Sequence, residues 1–163
     1  MKTLFIGGIK SGKSALAEKY ILEHTNTPIY LATTEILDDE MRIRVDAHIK
    51  QRADEFETIE EARYLLTKLE SASNAILVEC ITMWLNNLIY YGVRDEAILA
   101  ELETIMNLDK DMVFILNDVG SGVIADNALA RRFVDLSGKA SQIIASKCDE
   151  VYHVIAGIER RIK

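Results

Sequence analysis

Eight residues near the start of the chain, Gly7-Gly8-Ile9-Lys10-Ser11-Gly12-Lys13-Ser14, combine a permissive backbone with a fixed positive charge, which is what phosphate recognition needs. They fit the pattern G-x-x-x-x-G-K-[ST]. Glycines let the backbone curl so that successive N–H groups face phosphate oxygens, and a following helix adds the positive end of its dipole. In that reading Lys13 reaches the outer phosphates and the Ser14 hydroxyl ligates Mg2+. The alternative is a chance glycine turn between a strand and a helix. Context favours the phosphate loop: the apolar run Thr3–Ile6 leads straight in, and the helix-forming run Ala15–Tyr20 leads straight out. The pattern specifies a nucleoside triphosphate and leaves the base and the reaction open.

Two further positions carry possible chemistry. Glu79 directly follows the apolar run Ala75–Val78, where a second buried strand would present an acid to hold magnesium through its water shell; the plain alternative is an exposed acid at a strand end. The second is His48. The segment from Asp38 to Arg52 reads as a helix with acids crowded into its first turn, as the dipole prefers, and with Met41, Val45 and Ile49 as its buried stripe. Arg44, His48 and Arg52 also recur every four residues and share an adjacent face. Two arginine neighbours depress the pKa of an imidazole and keep it neutral and nucleophilic, and they could clamp a phosphoryl group under attack. Spacing alone favours the blander picture, a solvated face with a Glu40–Arg44 pair and a histidine at its edge. His24, ending the first helix, reads as a complement to the dipole, and His153, in the last strand, as packing.

These groups need a scaffold, and the hydropathy pattern describes one. Short apolar runs at Thr3–Ile6, Ile29–Ala32, Ala75–Val78, Met112–Leu116 and Val151–Ala156 read as buried strands. Between them lie segments of helical period. Ile81, Trp84, Leu85, Leu88 and Ile89 form an amphipathic stripe closed by Gly92, and residues 126–147 set Leu129, Phe133 and Leu136 on one face. Near-continuous aliphatic strands alternating with helices imply an α/β domain with a mostly parallel sheet covered on both faces. No linker or repeat interrupts the 163 residues, so residues 1–163 read as one nucleotide-binding domain.

Composition narrows the class. Nineteen Lys and Arg against 26 Asp and Glu leave a formal charge of −7, which argues against a nucleic-acid or anionic-membrane surface. Cys80 and Cys148 form no C-x-x-C pair, which suits a reducing compartment and argues against a disulfide scaffold or structural zinc. No apolar stretch approaches the roughly 18 residues of a membrane span. A cytoplasmic location and small-molecule partners are the expectation.

Together these residues resemble one family, the bifunctional adenosylcobinamide kinase / adenosylcobinamide-phosphate guanylyltransferases of cobalamin biosynthesis. The resemblance runs through GGIKSGKS, YLATTEILDDEM, R-V-D-A-H with Arg52 four residues on, F-E-T-I-E, ILVECITMWLNNL, N-D-V-G-S-G, N-A-L-A-R-R-F and C-D-E-V. The loop is shared by many families; the Asp38-to-Arg52 segment joined to E-C-I-T-x-W-L is far more specific. The resemblance implies a RecA-like P-loop fold and two reactions. A nucleoside triphosphate, GTP or ATP, phosphorylates the aminopropanol hydroxyl of adenosylcobinamide; GMP from GTP then passes through an active-site histidine to the new phosphate. His48 matches that histidine, so the resemblance gives it the chemical role that spacing alone does not, and Lys13 joins it as a catalytic residue. Nucleotide contacts would fall on Gly7, Gly8, Ile9, Lys10, Ser11, Gly12, Lys13 and Ser14, on Thr33, Thr34 and Glu35, on Ile49, Lys50, Gln51 and Arg52, and on Glu60 and Glu79, with Ser14 and Glu79 serving magnesium. A homo-oligomer, a trimer with sites near subunit contacts, is also implied. The chain departs from the family at Asp118 (commonly Glu), Ala125 (often Pro), Ser141 (Asn) and Phe56 (often Trp), positions that bear on the corrinoid pocket. Two rival readings are another P-loop phosphotransferase in which His48 is structural, and a nucleotide switch without small-molecule chemistry. No switch-like segment or apolar patch around Trp84 supports the second.

Overall fold

The structure, a computed structural model, describes residues 1–35, 42–43 and 55–163. The helix expected over 38–52, its Met41/Val45/Ile49 stripe and the Arg44/His48/Arg52 face lie outside the described residues.

Seven strands form one sheet: β1 (Lys2–Gly7), β2 (Ile29–Ala32), β3 (Glu57–Glu60), β4 (Ile76–Val78), β5 (Met112–Asn117), β6 (Glu150–Ile155) and β7 (Ile158–Arg161), in the order β3-β2-β4-β5-β1-β6-β7. Every neighbouring pair is parallel except β6–β7. The strand feeding the glycine loop, β1, and the strand ending before Glu79, β4, are separated by β5, the RecA-like arrangement of a P-loop sheet.

Five helices are described: α1 (Lys13–His24), α2 (Leu65–Ser71), α3 (Ile81–Tyr90), α4 (Asp95–Asn107) and α5 (Ala128–Lys147). Alternation along each strand divides the core between the two faces of the sheet. Phe5, Leu77, Val113 and Ile115 point to the side of Ala17 and Ile21 of α1. Leu4, Ile76, Val78, Met112, Phe114 and Leu116 point to the side carrying α2 to α5, where Leu65, Trp84, Leu102 and Leu136 meet them. The expected covering of both faces is borne out, with α1 opposite the other four.

Local signals account for the boundaries. α3 ends where Gly92 and Val93 donate back to the carbonyls of Ile89 and Leu88, at 3.0 and 2.9 Å, a paired closure of a helix C-terminus. Asn127 caps α5 by accepting from the Ala130 N–H at 2.8 Å, so that helix starts two residues later than the pattern suggests. The final parallel strand stops at Ile155, because Ala156 and Gly157 both take positive φ, 51° and 80°, in the two-residue turn joining β6 to β7.

One core expectation is corrected. Leu129 is 62% exposed, whereas Leu136 is buried and Phe133 half-buried; the stripe continues through Ala140 and Ile144. Leu129 sits in the first turn of α5, short of where that helix meets the core. Trp84, by contrast, is fully buried as expected, and its indole N–H donates to the Arg63 carbonyl at 3.0 Å. The difference between the two leucines is measurable. In urea denaturation Leu136→Ala should cost about 2–5 kcal/mol through the cavity it leaves, while Leu129→Ala should stay within about 0.5 kcal/mol of the parent.

Candidate functional site

The parallel strands all end on one edge of the sheet, and most residues singled out from the sequence lie along it. β1 delivers Gly7 to this edge; β5 delivers Asn117 directly opposite Gly7. Two strands from β1, β4 ends at Val78 and hands over to Glu79, whose N–H donates to the Leu31 carbonyl at 3.0 Å. β2 leads into Thr33, Thr34 and Glu35, and Glu60 ends the outermost strand, β3.

The glycine loop is gripped from the side by the β6–β7 turn. A Cβ on Gly7 would lie 2.3 Å from the Val154 carbonyl oxygen, so no other residue fits without moving β6. Gly12, in the left-handed region at φ 94°, has its Cα side against Gly157, and the Gly157 N–H donates to the Ser11 carbonyl at 2.7 Å. Gly8 differs, since a Cβ there would meet nothing within 4 Å. Packing among the described residues therefore does not require a glycine at this position, and the space above it is open. The Ser11 hydroxyl is buried and has no hydrogen-bond partner among the described residues, a polar atom with capacity to spare inside the loop.

Lys13 opens α1 and is 6% exposed; its ammonium folds across the loop and donates to the Gly8 carbonyl at 3.1 Å. Burial lowers its pKa, a shift only partly opposed by Cys80. A desolvated ammonium with one neutral acceptor is well suited to take a phosphate oxygen, which would return the Coulomb energy that burial withholds. Burial also raises the pKa of Cys80, which holds it as the thiol rather than as a nucleophilic thiolate. Ser14, Ile9 and Lys10 are exposed around the loop, with Lys10 at φ 57°.

A polar frame behind the edge fixes the β2 side. Asn87, buried on the inner face of α3, donates its amide to the carbonyls of Thr33 at 2.9 Å and Ala62 at 3.0 Å. The Thr33 hydroxyl donates to the Cys80 carbonyl at 2.8 Å, and Thr82 accepts from the Asn117 N–H at 2.8 Å. Thr33 is thus structural in its side chain, with no exposure. Glu35 accepts from the Tyr91 hydroxyl at 2.6 Å, and exposed Glu60 takes Arg42 through both carboxylate oxygens at 3.3 Å. Sequence reasoning missed Asn87, Thr82, Asn117 and the Ala156-Gly157 turn. The one signal for Asn87 is a carboxamide inside a run of apolar residues. His48, Ile49, Lys50, Gln51 and Arg52 lie outside the described residues.

Ser14 and Glu79 offer hard oxygen donors, a hydroxyl and a carboxylate, the small protein share Mg2+ uses when phosphates and water complete its shell. Among the described residues no group of three or more His, Cys, Asp or Glu could hold a metal by itself. The donor set therefore fits an ion that shares its ligands with a nucleotide.

The family described as cobinamide kinase / cobinamide phosphate guanyltransferase matches residues 3–162. The chain is similar to the bifunctional adenosylcobalamin biosynthesis protein CobU of Escherichia coli (strain K12), 32% identical over 182 positions that cover 100% of both chains. It is likewise similar to the CobU protein of Salmonella typhimurium, 35% identical over 182 positions, again with 100% of each covered. Among solved structures, the Pyrococcus horikoshii OT3 protein of project PH0250 has a TM-score of 0.50 at 11% identity, covering 99% of this chain and 85% of that one, a likeness of fold alone.

Two outcomes follow from the site. Asn87→Ala removes the donor of two inward carbonyls and should lower stability by roughly 2–4 kcal/mol in chemical denaturation. Lys13→Met should abolish triphosphate binding in a titration yet leave stability equal or slightly higher at neutral pH. The sign follows from the lowered pKa of Lys13: the folded state holds its proton less tightly than the unfolded state, so the charged lysine opposes folding at neutral pH and that cost is relieved only as pH rises toward 10.5.

Proposed function

Because the chain belongs to the cobinamide kinase / cobinamide phosphate guanyltransferase family, we propose that it phosphorylates the aminopropanol hydroxyl of adenosylcobinamide and then converts the product to adenosylcobinamide-GDP with GMP from GTP, by way of a guanylylated His48. The observation that carries the nucleotide half is the loop itself: among the described residues, space over Gly8, a buried Ser11 hydroxyl without a partner, and a desolvated Lys13 ammonium.

In the first reaction the acceptor oxygen attacks the terminal phosphorus, the bond to the bridging oxygen breaks, the nucleoside diphosphate leaves and the hydroxyl proton passes to solvent. Backbone N–H groups of Gly8 to Lys13 and the dipole of α1 hold the phosphates, and the Lys13 ammonium takes up charge that grows on the leaving oxygens. A magnesium ion held by Ser14 and Glu79 would offset phosphate charge. In the second reaction the neutral imidazole of His48 attacks the α-phosphorus of GTP and pyrophosphate departs. The new phosphate of the acceptor then attacks the phosphoramidate, taking GMP and freeing the imidazole; one difficult displacement becomes two easier ones. His48 enters on its place in the sequence, four residues from Arg44 and four from Arg52.

The remaining contacts belong to the same proposal. Thr33, Thr34 and Glu35, which follow β2, would contact the nucleotide, while Glu60 would exchange Arg42 for a nucleotide donor. Ile49, Lys50, Gln51 and Arg52 follow His48 in sequence and would contact the nucleotide. GTP as the guanylyl donor, a trimeric assembly with sites near subunit contacts and a cytoplasmic setting complete the reading.

Product analysis tests it. With GTP, magnesium and adenosylcobinamide the parent should yield adenosylcobinamide-GDP, whereas His48→Ala should stop at adenosylcobinamide phosphate, formed at close to the parental rate. Equal yields of the GDP product from both proteins would rule out the histidine route.

A further inference from the structure

The strand between β1 and β4 ends on an amide. β5 reads Met-Val-Phe-Ile-Leu-Asn, five buried apolar residues followed by the half-buried Asn117. Its register sets Asn117 directly opposite Gly7, the first residue of the glycine loop. Alternation sets the direction of the side chain. Val113 and Ile115 pack on the side of Ala17 and Ile21, so Asn117, two residues on, starts on the face that carries α1. Lys13 opens that same helix. The backbone here is fixed, because the Asn117 N–H donates to the Thr82 hydroxyl at 2.8 Å. The side chain is not committed in the same way. Among the described residues its amide donates only to the Cys80 sulfur, at 3.6 Å, and a thiol is a weak acceptor. Burial raises the Cys80 pKa and keeps it protonated, so no thiolate strengthens that contact.

We propose that Asn117 is a catalytic residue: its carboxamide donates to the terminal phosphate of the bound nucleoside triphosphate, exchanging the Cys80 thiol for an anionic oxygen. The inference rests on the function proposed above, which gives both the glycine loop and Glu79 to the nucleotide. Those groups follow β1 and β4, and β5 lies between the two strands. Adjacent strands are about 4.8 Å apart, so phosphates reaching from the loop toward Glu79 pass over the end of β5. Asn117 is the side chain that β5 presents at that end on the α1 face. A carboxamide suits the position. It donates without adding a charge, and an anionic oxygen is a far stronger acceptor than a thiol. A donor fixed beside the terminal oxygens stabilises the charge that shifts during phosphoryl transfer, with no rearrangement at that moment. The loop N–H groups hold the inner phosphates, so a nucleoside diphosphate makes no use of Asn117.

The test compares Asn117→Ala and Asn117→Asp with the parent, titrating GDP and the non-hydrolysable β,γ-methylene analogue of GTP separately. Thermal melts check both folds, and Asp, of the same shape as Asn, keeps the packing if Ala loosens it. The expected result is a Kd for the analogue raised about tenfold, with the Kd for GDP within about twofold of the parent. With adenosylcobinamide and GTP, kcat for phosphorylation should fall about a hundredfold, and further for Asp, whose carboxylate repels phosphate oxygens. Equal weakening of GDP and the analogue would overturn the proposal, because Asn117 would then only shape the loop. A parental kcat in both variants would overturn it as well. Parent protein that binds neither nucleotide would overturn the functional reading itself, and this inference with it.

Discussion

The close approach of the glycine loop to the β6–β7 turn is the contact on which the rest of the site depends. With the Val154 carbonyl 2.3 Å from where a Cβ on Gly7 would stand, and the Gly157 N–H bonded to the Ser11 carbonyl at 2.7 Å, the loop is clamped from its flank rather than from its mouth. Among the described residues, that arrangement leaves the space over Gly8 open and the Ser11 hydroxyl without a partner. Preorganised donors of this kind do not have to be rearranged when a phosphate arrives, which is the main way a rigid loop gains both affinity and rate. The antiparallel hairpin at the end of the chain, which adds only a short exposed edge strand to the sheet, has this clamp as its structural consequence.

From the loop outward, the insertion of β5 between β1 and β4 sets the spacing of the chemistry. Adjacent strands lie about 4.8 Å apart, so the Gly7 end and the Glu79 end are roughly 10 Å apart across the sheet, with Asn117 and Asp118 between them. This gap sets the strand end before Glu79 two strands from the glycine loop, with the connection after β5 between them. Asn87 then ties Thr33 to Ala62, so that the β2 and β3 ends of the edge hold a fixed relation to α3. The walls on the β2 side of the edge are therefore braced by the protein itself.

Much of this is legible in residue order. The central strands are continuous aliphatic runs buried on both faces, and the loop carries its own pattern, so β1, β2, β4, β5, β6 and the start of α1 follow directly. The peripheral elements do not. β3 reads Glu-Thr-Ile-Glu and β7 Ile-Glu-Arg-Arg, edge strands with no buried run to betray them. α4 carries a subtler signal, acids at Asp95 and Glu96 in its first turn and the stripe Ile98, Leu102, Ile105 and Met106. Leu129 misleads because helical period alone does not say where along its length a helix meets the core. Within the site, Lys13 and the glycines are specified by local geometry, whereas Asn87 and Thr82 act through partners 25 or more residues away in sequence, and no local pattern encodes those pairings. His48 is the extreme case: its spacing argues for an ordinary helix face, and only likeness to a family gives it a chemical role.

The central claim is that this chain passes GMP through one of its own side chains. Intact-protein mass after incubation with GTP and magnesium, without acceptor, reads that step alone. The predicted result is a gain of one GMP that is lost in acid and absent from His48→Ala. No adduct on parent protein shown to bind GTP would contradict the claim, and would leave a P-loop phosphotransferase without a covalent step.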